Sequence, residues 1–244
     1  DAVMVARGDL GVEIPLEEVP IAQQKIIDSA LERGMPVIVA TQMLETMTVN
    51  PRPTRAEVSD ISTAIRQGAT GVMLSGETAS GKYPLKSVKT MARIAKSTEQ
   101  GLESSNLKPE SVSKYRSTRA VAHAGVELAK MANASRILVA TERGNAPRLV
   151  SLHQPGMPVT AVTNSIETAR KVQILPGIDS IVVEEYERGS KTMQKALSLL
   201  VESGGVKPGQ KVVAISGSPK AISGLTSTAR LYKVSDTGEI VGTE

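Results

Sequence analysis

The sequence predicts an α/β protein made of two parts, and three observations support this. Short runs rich in Val, Ile and Met, without polar alternation, are typical of parallel strands buried on both faces. Between them lie segments whose apolar residues recur every three or four positions, as on the packed face of a helix. A polar stretch at residues 104–114, which contains Pro109, separates two such series and is interpreted as a linker.

Three strand–helix repeats are predicted before the linker. The strands lie at residues 2–6, 36–41 and 71–75. A helix follows each strand: the first ends at Gly34 and Pro36, and the second, at residues 57–67, is closed by Gly68. The apolar faces expected to pack inward are Val19, Ala22, Ile26 and Ala30 in the first helix, and Val88, Met91, Ala92 and Ala95 in the third, at residues 84–103.

An open α/β sheet is predicted after the linker. It begins with a helix at residues 118–131 that turns Val121, Ala124 and Leu128 inward. The predicted strands are 136–140, 159–163, 180–183, 211–215 and 230–234, and the predicted helices are 146–153, 166–172 and 190–202. No helix separates the last two strands, so the final strand is expected to run antiparallel at an edge of the sheet.

Composition excludes several classes of protein. The chain of 244 residues has no cysteine, which rules out disulfides and thiolate metal sites and makes a reducing, cytoplasmic setting the default. No apolar run approaches the roughly 20 residues that span a bilayer, so no membrane association is expected. The net charge is +4, but Lys and Arg are scattered and only four Tyr are available for stacking, which argues against nucleic-acid binding.

The first part is too small to close on itself. Three parallel strands leave long exposed edges and little core, whereas a closed (β/α)₈ barrel needs about 250 residues. Residues 1–104 are therefore interpreted as a partial (β/α)₈ barrel, and residues 105–244 as the open α/β sheet domain. Asp1 enters directly on a strand-like run, which suggests a chain cut inside a fold.

Polar residues follow each of the three predicted strands, where ligands bind in parallel α/β folds. Gly8 allows close backbone approach, and the amides of Gly8 and Asp9 could point at a carboxylate or phosphate. The Asp9 carboxylate suits Mg²⁺, and Thr41 adds a hydroxyl from the neighbouring strand. Two plainer interpretations remain open: Asp9 caps a turn, and Thr41 ends a strand. An adhesion role for Arg7-Gly8-Asp9 is disfavoured at a buried strand end.

Three segments carry a resemblance to a known family. They are Met4-Val5-Ala6-Arg7-Gly8-Asp9-Leu10-Gly11-Val12-Glu13, then Ala40-Thr41-Gln42-Met43-Leu44-Glu45 with Pro51-Arg52-Pro53-Thr54-Arg55-Ala56-Glu57, and Met73-Leu74-Ser75-Gly76-Glu77-Thr78-Ala79. In this order they closely resemble the sixth, seventh and eighth barrel strands of the pyruvate kinase family. The resemblance implies that the first part is the last three β/α units of the barrel.

The resemblance also implies a reaction and residue roles. Family members transfer a phosphoryl group from phosphoenolpyruvate to ADP in glycolysis, with Mg²⁺ (or Mn²⁺) and, in many members, K⁺. Asp9 would be one of two carboxylates on the metal, and the amides of Gly8 and Asp9 with the Thr41 hydroxyl would bind the substrate carboxylate. Thr41 and Ser75 would be the catalytic positions, in a relay that delivers a proton through a water.

One family feature has no match in this sequence. A Lys-x-Glu strand end supplies the lysine that stabilises the transferring phosphoryl group and the second metal carboxylate. The early-barrel residues that hold ATP and K⁺, and the lid domain, are also unmatched. The chain alone is therefore expected to be inactive. The alternatives are a non-catalytic effector-binding module and one half of a split enzyme.

The second part is similar to the regulatory domain of the same family up to about Val234. Members bind phosphorylated effectors at glycine-rich turns, which here comprise Thr141, Arg143, Gly144, Asn145, Ser216, Gly217, Ser218, Gly224 and Thr226. Arg143 and Ala146 stand where members that bind fructose 1,6-bisphosphate carry hydroxyls, so a dormant turn remains an alternative. A homotetramer is implied for the intact enzyme, and His123 and His153 are interpreted as structural or solvated.

Overall fold

The structure, a computed structural model, describes residues 2–102, 116–184, 190–217, 226–235 and 240–242. The chain divides into two compact units, Asp1–Glu103 and Ser104–Glu244. The predicted linker at residues 104–114 lies outside the described residues. No helix in the described ranges is both long and apolar enough to cross a bilayer.

The first unit is built on a parallel sheet with the strand order β1-β2-β3. Its elements are β1 Val3–Ala6, α1 Arg7–Glu13, α2 Val19–Glu32, β2 Val37–Ala40, α3 Arg55–Arg66, β3 Gly71–Val72, α4 Gly76–Ala79 and α5 Pro84–Gln100, with 3₁₀ turns at Leu16–Glu18 and Glu45–Thr48. The three predicted strands and three predicted helices are confirmed, as is a short helix at Gly8 and Asp9, whereas the short helix α4 was not predicted. The core lies between the sheet and the longer helices, around Val5, Val39, Ile27 and Ile61.

The buried faces of two helices differ from the prediction. In α5, Met91 is buried as expected, but Val88 is 50% exposed and Ser87, Thr90 and Thr98 are buried. Those hydroxyls can be buried because they have partners: Ser87 Oγ donates to Tyr83 O at 3.0 Å and Thr98 Oγ1 to Ser62 Oγ at 3.1 Å.

In α2 the buried residues are Gln23, Ile27 and Ala30. Gln23 is paired with Gln67 through its side-chain amide, with Nε2 to Oε1 at 2.6 Å. Polar side chains with partners thus occupy core positions that an apolar pattern cannot reveal.

The second unit is a sheet with the strand order β6-β5-β4-β7-β8-β9. Its elements are α6 Arg116–Met131, β4 Arg136–Ala140, α7 Asn145–Ser151, β5 Val159–Thr163, α8 Ile166–Val172, β6 Ile178–Val182, α9 Ser190–Glu202, β7 Lys211–Ser216, β8 Thr228–Val234 and β9 Ile240–Gly242. As predicted, β8 is antiparallel to β7. The prediction that it forms the edge is wrong, because β9 pairs with its other side.

The buried face of helix α6 is shifted by about one residue from the predicted face. Ala122, Val126 and Ala129 are buried, instead of Val121, Ala124 and Leu128. Gly125 explains the close approach to the sheet, since a Cβ there would lie 2.5 Å from Ile215 Cδ1. The smallest residue of the helix therefore faces β7, and this sets which side of α6 is buried.

The two histidines of the chain meet in the second unit. The rings of His123, on α6, and His153, just after α7, lie 5.0 Å apart between centroids. His153 is 3% exposed. Burial, with the positive charges of His123, Arg119 and Lys130, lowers the pKa of His153 to about 4, against an opposing effect of Glu127.

This burial predicts a pH-dependent stability. The unfolded state binds the His153 proton below about pH 6.5, whereas the folded state resists it down to about 4, so stability falls on acidification across this window. The free energy of unfolding is expected to fall by up to about 3 kcal/mol. Urea denaturation followed by circular dichroism from pH 7 to 4 measures it. His153→Asn should flatten the dependence and His123→Asn should reduce it in part; an unchanged slope in His153→Asn would contradict the assignment.

Candidate active site

The polar segments predicted to carry chemistry lie at one edge of the first sheet. Strands β1, β2 and β3 are parallel, with Ala6 opposite Ala40 and Val39 opposite Val72. Their carboxyl ends therefore meet along the same side. Arg7 and Gly8 open α1 after β1, Thr41 follows β2, and Ser75 precedes α4 after β3.

The structure joins Gly8 to Thr41. The Gly8 amide donates to Thr41 Oγ1 at 2.9 Å, and this hydroxyl donates to Ala40 O at 2.6 Å. Two of the predicted substrate-binding groups are thus neighbours across adjacent strand ends. The Gly8 amide already has an acceptor here, so a ligand that takes this amide must replace the Thr41 hydroxyl.

The backbone after β2 is left-handed at two successive residues. Thr41 has φ of 68° and Gln42 has φ of 54°, which β-branched and long side chains rarely adopt. Each such residue costs about 1–3 kcal/mol and persists only where the surroundings hold it.

Arg7 holds this backbone in place. Its Nε donates to Ala40 O at 3.3 Å and to Thr41 O at 3.2 Å, and its Nη2 also donates to Thr41 O. An ion pair of 2.6 Å between Arg7 Nη1 and Asp60 Oδ2, on α3, orients the guanidinium. Arg7 belongs to one of the segments that resemble the family, but the sequence did not predict that Arg7 holds the backbone of Thr41 in place.

Glu77 links the segments that follow β2 and β3. Its carboxylate is 1% exposed and accepts the Leu44 amide at 2.9 Å and the Ser75 amide at 2.8 Å. The Ser75 backbone is thereby fixed to the chain that follows Thr41. The sequence did not predict this link either. The one indication of it was a glutamate placed two residues after Ser75, near the end of a predicted strand.

Glu57 anchors the 3₁₀ turn after β2 to α3. Its carboxylate accepts Thr46 N at 2.8 Å and Thr46 Oγ1 at 2.6 Å, and it closes a capping box with Thr54. Burial raises the pKa of the Glu57 carboxyl, but the hydrogen bonds from Thr46 and Thr54 outweigh this and leave the pKa below its ordinary value.

Asp9 is the residue predicted to bind metal. It lies in the first turn of α1, where it is exposed and makes no hydrogen bond or ion pair with the part of the chain that the structure describes. A free carboxylate oxygen at a strand end suits Mg²⁺. No group of three or more His, Cys, Asp or Glu able to hold a metal occurs among the described residues.

The predicted effector residues also lie at strand ends. Thr141 follows β4 and Gly217 follows β7, and these strands are parallel neighbours. The Gly144 amide donates to Thr141 Oγ1 at 2.8 Å, and Gly144 has φ of 83°. Arg143 is exposed and Asn145 begins α7.

Of the remaining effector residues, Ser216, Gly217 and Thr226 lie at or near the ends of β7 and β8. Ser216 ends β7 opposite Thr228, and its carbonyl accepts the Ser227 amide at 3.1 Å. The Thr226 amide donates to Thr118 Oγ1 at 3.3 Å. Ser218 and Gly224 lie outside the described residues. Several polar groups near these strand ends therefore already have hydrogen-bond partners within the second unit.

Both units match domains of a single enzyme family. Residues 1–88 match the family model described as "Pyruvate kinase, barrel domain", and residues 119–232 match "Pyruvate kinase, alpha/beta domain". The chain therefore belongs to the pyruvate kinase family, as its motifs predicted.

Individual relatives agree with this assignment. Pyruvate kinase 2 of Synechocystis sp. is 41% identical over 96% of this chain and 39% of its own length, and pyruvate kinase of Geobacillus stearothermophilus is 40% identical over 97% and 40%. The crystal structure of a pyruvate kinase from Cryptosporidium parvum superposes with a TM-score of 0.86 at 34% identity, covering 96% of this chain and 47% of that one. The chain thus spans less than half the length of these relatives.

The buried carboxylate of Glu77 gives a testable expectation. In Glu77→Gln one acceptor oxygen becomes an NH₂ group facing an amide donor, which should cost about 1–3 kcal/mol locally. Hydrogen exchange followed by mass spectrometry should show roughly tenfold or greater acceleration at the Leu44 and Ser75 amides. Glu99→Gln, an exposed change on α5, is the matched control. Equal protection in both variants would show that the Glu77 link does not hold these segments.

Proposed function

We propose that this chain supplies part of the active site of an enzyme that transfers a phosphoryl group from phosphoenolpyruvate to ADP, giving pyruvate and ATP in glycolysis. The observation that supports it most directly is the contact between Gly8 and Thr41 at the carboxyl edge of a sheet in a matched barrel domain. In this proposal the first unit is the last three β/α units of a (β/α)₈ barrel.

The residues of this edge take distinct roles in the proposal. The amides of Gly8 and Asp9 bind the substrate carboxylate, which replaces Thr41 Oγ1 as the acceptor of the Gly8 amide, and the Thr41 hydroxyl then turns to donate to the same carboxylate. Thr41 and Ser75 lie on the path by which a water protonates the enolate carbon. Arg7 acts through Thr41, since it holds the left-handed backbone that sets the hydroxyl in place.

Asp9 would hold the divalent cation, Mg²⁺ or Mn²⁺, which neutralises the charge that develops during phosphoryl transfer. Its exposed, unpaired carboxylate supports this role. K⁺ is proposed as a second cation of the intact enzyme on the ground of family membership alone.

A polypeptide limited to these 244 residues is proposed to be inactive. No strand predicted from the sequence ends in a Lys-x-Glu that could stabilise the transferring phosphoryl group and complete the metal site, since Lys108-Pro109-Glu110 falls in the predicted linker. Catalysis then requires these elements from further sequence or from a second chain, as in a split enzyme. A non-catalytic effector-binding module is the alternative.

Pyruvate formation, coupled to lactate dehydrogenase, tests the proposal. The 244-residue chain alone should show no turnover. A chimera in which it replaces the matching part of the Geobacillus stearothermophilus relative should form pyruvate. In the chimera, Thr41→Val and Asp9→Asn should each lower kcat at least about 100-fold, because each removes a group that acts on developing charge.

Two exposed positions give the controls, Thr63→Val on α3 and Glu13→Gln on α1. Both should keep kcat within about twofold, since surface substitutions away from special features have small effects. Full activity in Thr41→Val or Asp9→Asn would reject the assigned roles. A chimera that is folded by circular dichroism yet inactive would favour the non-catalytic alternative, and turnover by the isolated chain would reject the proposed inactivity.

We further propose that the second unit binds a phosphorylated effector at Thr141, Arg143, Gly144 and Asn145 and the turn after β7, and that the intact enzyme is a cytoplasmic homotetramer. The exposed Arg143 beside the left-handed Gly144 supports the anion site. The alternative is a dormant turn, because Thr141 and Gly144 already bond to each other.

The effector site is tested by measuring the thermal unfolding midpoint at increasing concentrations of sugar phosphates and nucleotides. A bound effector should raise the midpoint with a saturating dependence on its concentration. Arg143→Gln should abolish that rise, whereas Arg170→Gln, a matched change near the end of α8, should keep it. The dormant turn is favoured if no phosphorylated ligand shifts the midpoint.

A further inference from the structure

A groove of about 330 Å³ lies between α3 and α5 in the first unit. Arg66 from α3 and Arg93 from α5 line it, together with the hydroxyls of Ser62 and Ser97. The described residues that line it include no carboxylate. Its volume is at the lower end of the range for small-molecule sites. The groove is thus a positively charged recess with hydrogen-bond donors, and it shares no residue with the proposed active site.

The two arginines retain unused donors. Arg66 Nε reaches Ser62 Oγ at 3.4 Å, and one Arg93 nitrogen donates to Thr90 Oγ1 at 3.0 Å. Neither side chain pairs with a carboxylate in the described part of the chain. A guanidinium carries five N–H donors, so both keep most of their capacity for an incoming ligand.

The serine hydroxyls beside them are free to donate to a ligand. Thr98, which is buried, donates through Oγ1 to Ser62 Oγ at 3.1 Å. Ser62 therefore serves as an acceptor for Thr98, and its own hydroxyl hydrogen can point into the groove. Ser97 is exposed on the same helix as Arg93 and adds a second hydroxyl.

Helix α5 strengthens the positive potential. It carries Lys86, Lys89, Arg93 and Lys96, with no acidic residue between Pro84 and Lys96. Lys86 and Arg93 are seven residues apart, so they lie on one face of the helix. Unpaired positive charges along one helix attract anions and raise their local concentration.

We propose that this groove binds a small phosphate ester, with Arg66 and Arg93 holding the phosphoryl oxygens. Guanidinium groups match phosphate geometry with paired N–H bonds, and the serine hydroxyls complete the contacts. Val58 and Ile94 line the groove as its apolar part and contact the carbon body of the ester. The ligand is therefore an ester and not bare phosphate alone.

Isothermal titration calorimetry of the full chain with phenyl phosphate tests the proposed phosphate-ester site. Inorganic phosphate and benzyl alcohol serve as comparison ligands, since each offers only one of the two parts of the probe. Phenyl phosphate should bind more tightly than either, and its affinity should fall as chloride is raised. The double variant Arg66→Gln/Arg93→Gln should weaken it at least tenfold. Both arginines are exposed, so the variant should fold, and circular dichroism checks this.

Matched variants separate this groove from the other proposed sites. Lys25→Gln removes the same charge from an exposed position on α2, outside the groove, and should change affinity less than twofold. Arg143→Gln, at the proposed effector turn, should also leave it unchanged. The proposal is overturned if the double variant binds phenyl phosphate as tightly as the original chain, or if Lys25→Gln or Arg143→Gln weakens binding equally. These results do not depend on pyruvate formation.

Discussion

The guanidinium of Arg7 connects three parts of the first unit. It donates to the backbone carbonyls of Ala40 and Thr41, and it forms an ion pair with Asp60 of α3. The Thr41 backbone lies in a conformation that its own side chain disfavours, so it needs such external support. Arg7 and the Gly8 amide act together, one on the carbonyl and the other on the hydroxyl of the same threonine. The geometry of the proposed substrate pocket depends on this arrangement more than on any single strand.

The strand ends are joined by hydrogen bonds between side chains and backbone. Parallel strands leave the backbone beyond their ends without ladder partners, and each such group needs another partner. Glu77 provides two acceptors for amides after β2 and β3, and Glu57 provides them for the turn at Thr46. These two carboxylates thus hold the edge together, while Asp9 is unpaired among the described residues. The proposed metal role of Asp9 needs a carboxylate that stays free on a rigid frame, and this arrangement provides one.

Strands and motifs could be predicted from the sequence, because buried parallel strands need unbroken apolar runs and because the residues near Gly8, Thr41 and Ser75 are specific to one family. Helix faces were harder to predict. Ser87 and Thr98 of α5 are buried with hydrogen-bond partners that only the folded chain supplies, and Gly125 shifts the packed face of α6. The left-handed turn at Thr41 was not predictable either, since its stabilising partner, Arg7, lies 34 residues away in the sequence.

Strand β9 determines which backbone groups are exposed at one edge of the second sheet. With only Ile240–Gly242, it covers one side of the seven-residue strand Thr228–Val234 and leaves a very short outer strand. Short outer strands offer few free amides and carbonyls to a neighbouring molecule. A shortened version that stops at residue 235 would bare that longer strand and invite strand-to-strand self-association. Anyone trimming this protein for crystallisation or solubility work should therefore keep Ile240–Gly242.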